Sequence, residues 1–193
     1  MDQYFKELPI KIDMLDVTKL ELTPRREFNG RVFYSNIHNI EYTNYLSNIF
    51  KELSPRTISY SEFDRGGPHI DHDSVKCGIN HYYITQDVET VFYKPKSLDV
   101  KSFPGLGEEA SNFFDKKDLI IVGKFFSRPD SVWLLDVTKI HSLEFPNPLN
   151  SWDEMGPKRT FVKWAFDEPY EVIYKKLFEE IIPRWNTKLI YEY

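Results

Sequence analysis

A chain of 193 residues is of a size for one domain, 1–193, with a substantial core. A formal net charge of −5 argues against a nucleic-acid binder, which needs clustered Lys and Arg, and apolar runs this short leave no segment suited to spanning a membrane. Cys77 is the single cysteine, which excludes an internal disulfide and a zinc site built on Cys pairs. Residues 1–16 lack the apolar centre of a secretory signal, so a reducing, cytoplasmic setting is expected.

In chain order, Lys19-Leu20-Glu21-Leu22 and Arg31-Val32-Phe33-Tyr34 alternate apolar and polar residues and read as short flanking strands. Leu46, Ile49, Phe50 and Leu53 fall at helical spacing and predict an amphipathic helix over 44–53, stopped by Ser54-Pro55. His38, just before it, is expected to be a surface or capping residue. A strand rich in β-branched and aromatic residues follows over 56–63 and carries Tyr60. Asp64-Arg65-Gly66-Gly67 is a turn leading into Pro68-His69-Ile70-Asp71-His72-Asp73. Over 76–84, Cys77, Ile79, His81 and Tyr83 share one strand face, and Gly78, Asn80, Tyr82 and Ile84 share the other. The pattern does not say which face looks inward, so His81 is read either as a packed or hydrogen-bonded histidine or as a fourth imidazole near the site. Glu89–Lys94 is a further strand. Residues 95–118 read as a long loop, either a surface excursion or a cover over a site. Leu119–Phe126 reads as a strand of the buried kind, 132–136 as another, and 168–182 as a C-terminal amphipathic helix ended by Pro183.

The chemistry concentrates in the Pro68–Asp73 stretch. In an extended segment residues i and i+2 leave on the same face, so His69 and Asp71 point together. An imidazole and a carboxylate converging from a strand end supply two ligands of a 2-His-1-carboxylate facial triad, which holds Fe(II) and leaves positions open. His72 and Asp73 are rival ligands in the same stretch. A distant His141 follows the strand-like run Val132-Trp133-Leu134-Leu135-Asp136, and Arg159 opens a later strand that also carries Lys163.

This order of residues resembles the small Fe(II)- and 2-oxoglutarate-dependent oxygenases of the prolyl 4-hydroxylase-like type. The resemblance covers about 56–166. It rests on Tyr60 placed nine residues before His69, Pro68-His69-Ile70-Asp71, Glu89-Thr90-Val91-Phe92, Trp133-Leu134-Leu135 leading to His141-Ser142, and Arg159. It implies a mostly β fold, a double-stranded β-helix (jelly-roll) barrel, which the N-terminal and C-terminal helices read above would flank. It implies Fe(II) on His69, Asp71 and His141. It further implies 2-oxoglutarate gripped at its distal carboxylate by Arg159, with Lys163 as the fallback, and contacted by Tyr60 and Thr90. The implied reaction is a dioxygenase hydroxylation of a C–H bond on a peptide side chain or small molecule. Three departures stand out: Val88 where the family has glycine, a long spacing from His141 to Arg159, and Phe161 where a hydroxyl is common. The two around Arg159 keep a second expectation alive, a degenerate cupin-like barrel that binds a metal or ligand without turnover.

Overall fold

The computed structural model describes residues 4–28, 31–63, 66–71, 74–86, 88–104, 112–144 and 159–185. Its strands are β1 (Phe5–Glu7), β2 (Leu22–Phe28), β3 (Arg31–Ile37), β4 (Thr57–Phe63), β5 (Gly66–Ile70), β6 (Cys77–Ile84) and β7 (Glu89–Pro95). They continue with β8 (Ser102–Pro104), β9 (Asn112–Phe114), β10 (Leu119–Phe126), β11 (Val132–Leu135), β12 (His141–Glu144) and β13 (Arg159–Phe166). The helices are α1 (Ile40–Ile49) and α2 (Tyr170–Lys175), the latter running on through a π-helical stretch, Lys176–Ile181.

The strands form two antiparallel sheets. A seven-stranded sheet has the order β1-β11-β6-β13-β4-β3-β2, and a six-stranded sheet the order β10-β7-β12-β5-β9-β8. The chain therefore crosses repeatedly between the sheets: β4, β6, β11 and β13 belong to the first, β5, β7, β10 and β12 to the second.

Strand periodicity divides the cores. On β6, Cys77, Ile79 and Tyr83 join Val162, Trp164 and Phe166 of β13 in a cluster with Leu46 and Phe50 of the α1 region and Ile173 and Leu177 of the C-terminal helix. The alternate residues, Tyr82 and Phe161, pack instead with Phe92, Phe125, Trp133 and Leu135 between the two sheets. The middle of the seven-stranded sheet, β6 and β13, is thus buried on both faces, with helices on one side and the second sheet on the other. Trp164 ties the helix layer down: its indole N–H donates to the Leu46 carbonyl at 3.0 Å, and its ring meets Phe50 edge-on at 5.1 Å.

The helices sit close to their expected places, with shifted ends. Helix α1 starts at Ile40 because Asn39 caps it, accepting from the Tyr42 N–H at 3.1 Å. It stops at Ile49, and a 3-10 turn at Lys51–Leu53 and a left-handed Ser54 (φ 51°) complete the exit before Pro55. His38 is exposed and Asn39, one residue on, does the capping. The predicted 168–182 helix begins after Pro169.

Two expectations are corrected. The apolar run of β10 is an edge strand: Ile120, Ile121, Val122 and Phe126 are exposed, because among the described residues no strand pairs beyond it and no helix covers the outer face of its sheet. A bulge between Ile121 and Gly123 lets the Phe5 ring reach the interior, where it stacks near Phe92 and Phe125. A Cβ at Gly123 would stand 2.9 Å from that ring and would push it aside. The 95–118 loop is also partly ordered, with β8 and β9 pairing as a hairpin and β9 pairing with β5. Residues 105–111 lie outside the described residues.

Candidate metal centre

Strands β5 and β12 lie side by side with His69 directly opposite His141, and Asp71 leaves the end of β5. The imidazole centroids are 4.4 Å apart. Asp71 Oδ1 stands 3.3 Å from His69 Nε2 and 3.7 Å from His141 Nε2. One ligand atom from each of the three residues lies within 4.8 Å of the other two.

Both rings are locked by the backbone. His69 Nδ1 lies 2.7 Å from the Gly67 carbonyl, and His141 Nδ1 lies 2.9 Å from the Lys139 carbonyl. A carbonyl only accepts, so the proton sits on Nδ1 and each Nε2 presents a free lone pair to the centre. Tethering of the remote ring nitrogen is the arrangement by which metal-ligating histidines are oriented. The Lys139 carbonyl belongs to a turn after β11. Asp136 Oδ1 accepts from Thr138 N–H at 3.1 Å and from the Thr138 hydroxyl at 2.5 Å. Within that turn the Val137 carbonyl accepts from Asp71 N–H at 3.2 Å. One Asx-turn thus fixes the approach of two of the three ligands.

The surroundings set the protonation states of the candidate ligands. Burial alone would raise the Asp71 carboxyl, but the group is held well below the usual carboxylate range, and the Lys163 ammonium is the largest of the influences that outweigh burial. Burial, then the neighbouring His69, pushes His141 down to about 4, so its imidazole is neutral in the fold. A neutral His141 imidazole and an ionised Asp71 carboxylate are in the protonation states that metal binding demands.

Arg159 lies deeper between the sheets and has no exposed surface. Its guanidinium donates to Thr90 Oγ1 at 2.6 Å and to Ser127 Oγ at 2.8 Å, and lies 4.2 Å from the centroid of the Tyr82 ring. Its Nε is buried without a partner, and among the described residues no carboxylate pairs with it. A buried, uncompensated cation costs several kcal/mol, so an anionic ligand here would offset an existing penalty. Lys163 faces the same interior, with its ammonium 2.8 Å from Asp71 Oδ2.

The structure therefore brings His69, Asp71 and His141 together and joins Arg159 to Thr90. It does not bring in Tyr60. That residue stands opposite Val162 on the helix-facing side of the sheet and is buried in the helix-side core. The small residues Ser59 and Ser61 pair with Lys163 and Phe161 and take the interior face. The tyrosine beside Arg159 is Tyr82, whose hydroxyl accepts from Asn80 Nδ2 at 3.0 Å. Its face of β6 was one of two equivalent choices in the sequence. Ser127 carried no motif signal. His81 turns toward the helix side and bonds Asp130 at 3.0 Å, as a packed histidine. The rival ligands His72 and Asp73, and Trp152 in the second loop, lie outside the described residues. A surface groove of about 880 Å³, lined by Glu7–Lys11, Arg128–Val132 and Trp185, shares no residue with this centre. Among the described residues no helix is long and apolar enough to cross a membrane.

No family model matches the chain, and no curated protein or solved structure matches it either.

Proposed function

We propose that the protein is an Fe(II)- and 2-oxoglutarate-dependent dioxygenase that hydroxylates a C–H bond of a peptide side chain or small molecule. The observation that carries this reading is the convergence of His69 Nε2, His141 Nε2 and an Asp71 oxygen within 4.8 Å, with both remote ring nitrogens tethered to carbonyls. The donor set is the facial 2-His-1-carboxylate type. Strand order supports it: β4, β13, β6 and β11 in one sheet and β5, β12, β7 and β10 in the other is the interleaving expected of a double-stranded β-helix.

Fe(II) on these ligands would supply the redox chemistry that couples oxidative decarboxylation of 2-oxoglutarate to oxygen insertion. The chain's own residues do the rest. Arg159, held by Thr90 and Ser127, receives the distal carboxylate and is the fixed end of the cosubstrate. Phe92, Phe161 and Tyr82 wall the interior and exclude water. The β8–β9 hairpin brings Phe113 to 5.5 Å from the His69 ring, with Phe103 stacked beyond it at 6.1 Å and half exposed. This aromatic shelf is where a substrate would meet the centre.

The Lys163–Asp71 ion pair favours a second reading, a barrel that keeps this carboxylate neutralised by lysine and binds an organic anion at Arg159 without turnover. Succinate formation separates the two. With Fe(II), ascorbate and 2-oxoglutarate, the first reading expects succinate from the wild-type protein and none from His141→Ala. A peptide and metabolite screen for a 16 Da gain would then identify the substrate. No succinate from metal-loaded, folded protein would leave the second reading.

A further inference from the structure

The two oxygens of Asp71 have different neighbours. Oδ1 faces both imidazoles, at 3.3 Å and 3.7 Å, while Oδ2 accepts from the Lys163 ammonium at 2.8 Å. Lys163 and Asp71 are both largely buried, each side chain being 12% exposed, so water competes weakly for either. The lysine comes from β13 and the aspartate from the end of β5, so the pair also joins the two sheets at the mouth of the interior.

The lysine stem has a prepared course. It passes over Gly78 of β6, where an added Cβ would stand 3.3 Å from Lys163 Cε and 3.7 Å from Val137 Cγ1. Val137 is the residue whose carbonyl holds the Asp71 N–H. The backbone and the second carboxylate oxygen of Asp71 are therefore fixed from neighbouring points, and only Oδ1 is left directed at the centre.

We propose that Lys163 is a positioning residue that holds Asp71 as a one-oxygen ligand, and that it is not the anchor of the cosubstrate. This rests on the metal reading above. Occupying Oδ2 keeps the carboxylate from turning to present both oxygens to a cation, which would close one of the positions a facial triad leaves open. Arg159, four residues earlier on the same face, keeps the anchoring role because its guanidinium is the one without a carboxylate partner among the described residues.

Charge alone makes the opposite forecast, which gives the test its force. Removing a cation beside a metal site relieves repulsion and should tighten metal binding, whereas removing a positioning partner should weaken it by about 10- to 100-fold. Mn(II) affinity, measured by electron paramagnetic resonance without 2-oxoglutarate, is compared in wild type, Lys163→Met, Lys163→Gln and Lys163→Arg. Gln serves if Met disturbs folding, since its shorter chain stays polar yet does not reach Oδ2. Loss of at least tenfold in Met and Gln, with recovery toward wild type in Arg, is expected. At saturating Co(II) the visible absorption of the Met variant should also change shape, because coordination number changes even when the site is full. Met and Gln variants that bind Mn(II) as tightly as wild type or tighter, or an Arg variant as weak as Met, overturn the proposal while leaving the metal site standing. Failure of the wild type itself to bind Mn(II) overturns both.

Discussion

At the scale of single residues, Arg159 is held against its own preference. Burial lowers its affinity for the proton, the neighbouring Tyr82 offsets part of that, and among the described residues its guanidinium donates to two hydroxyls. A group of this kind is retained for what it binds. Arg159→Met should weaken 2-oxoglutarate binding by at least tenfold, or about 1.4 kcal/mol, while Mn(II) affinity stays within a factor of about two. The ligand-free melting temperature should not fall, since replacing a buried charge with an apolar group of similar volume is often neutral or stabilising. Calorimetric titration and thermal melts of the same samples read both effects. A loss of stability with unchanged 2-oxoglutarate binding would mean that Arg159 serves the fold and not a ligand.

Among the elements, the turn from Asp136 to Ile140 carries more of the site than its length suggests. Asp136 bonds Thr138 twice, and the same turn presents the carbonyls that steer Asp71 and His141. Asp136→Ala removes a cap-like interaction worth about 0.5–2 kcal/mol and should weaken Mn(II) binding severalfold, although residue 136 is not a ligand. Unchanged Mn(II) affinity would show that β12 is held by its sheet neighbours alone. The docking of α1 rests on Trp164, and Trp164→Ala should cost about 3–5 kcal/mol in urea unfolding. Much of this was legible in the chain. Period-2 alternation on β6 and β13 and helical spacing at Leu46–Leu53 are local signals, and His69-x-Asp71 places its two ligands by strand geometry alone. Tyr60 was misplaced for a physical reason. A strand buried on both faces gives no contrast between inside and outside, and on β4 the aromatic went to the helix layer while serines faced the interior. The run Leu119–Phe126 misled in the converse way: unbroken hydrophobicity suits a central strand, yet here it lies at an edge.

The whole molecule should respond to pH through its buried histidines. Burial lowers His81 from 6.5 despite its bond to Asp130, so the unfolded chain takes up the proton first. Stability is therefore complete above about pH 6.5 and declines as pH falls toward the folded value, because protons bind the unfolded state preferentially in that window. In metal-free protein His141, at about 4, acts in the same direction. Urea midpoints in EDTA should fall between about pH 6.5 and 5, and His81→Asn should flatten part of that slope. A midpoint independent of pH over this range would contradict the buried, neutral state of both rings. The two-sheet architecture brings together groups distant in sequence: His69 and Asp71 from one strand, His141 from its neighbour, Arg159 and Lys163 from the facing sheet. Whether they form one centre is tested most directly by thermal melts with Mn(II) and 2-oxoglutarate, together and apart. A ligand confined to the folded state stabilises by about 2.7 kcal/mol at a hundredfold excess over its Kd. The account predicts a large shift with 2-oxoglutarate only when Mn(II) is present, and none in His69→Ala, Asp71→Ala or His141→Ala. An equal 2-oxoglutarate shift in EDTA, or a full shift in any of those three variants, would contradict it.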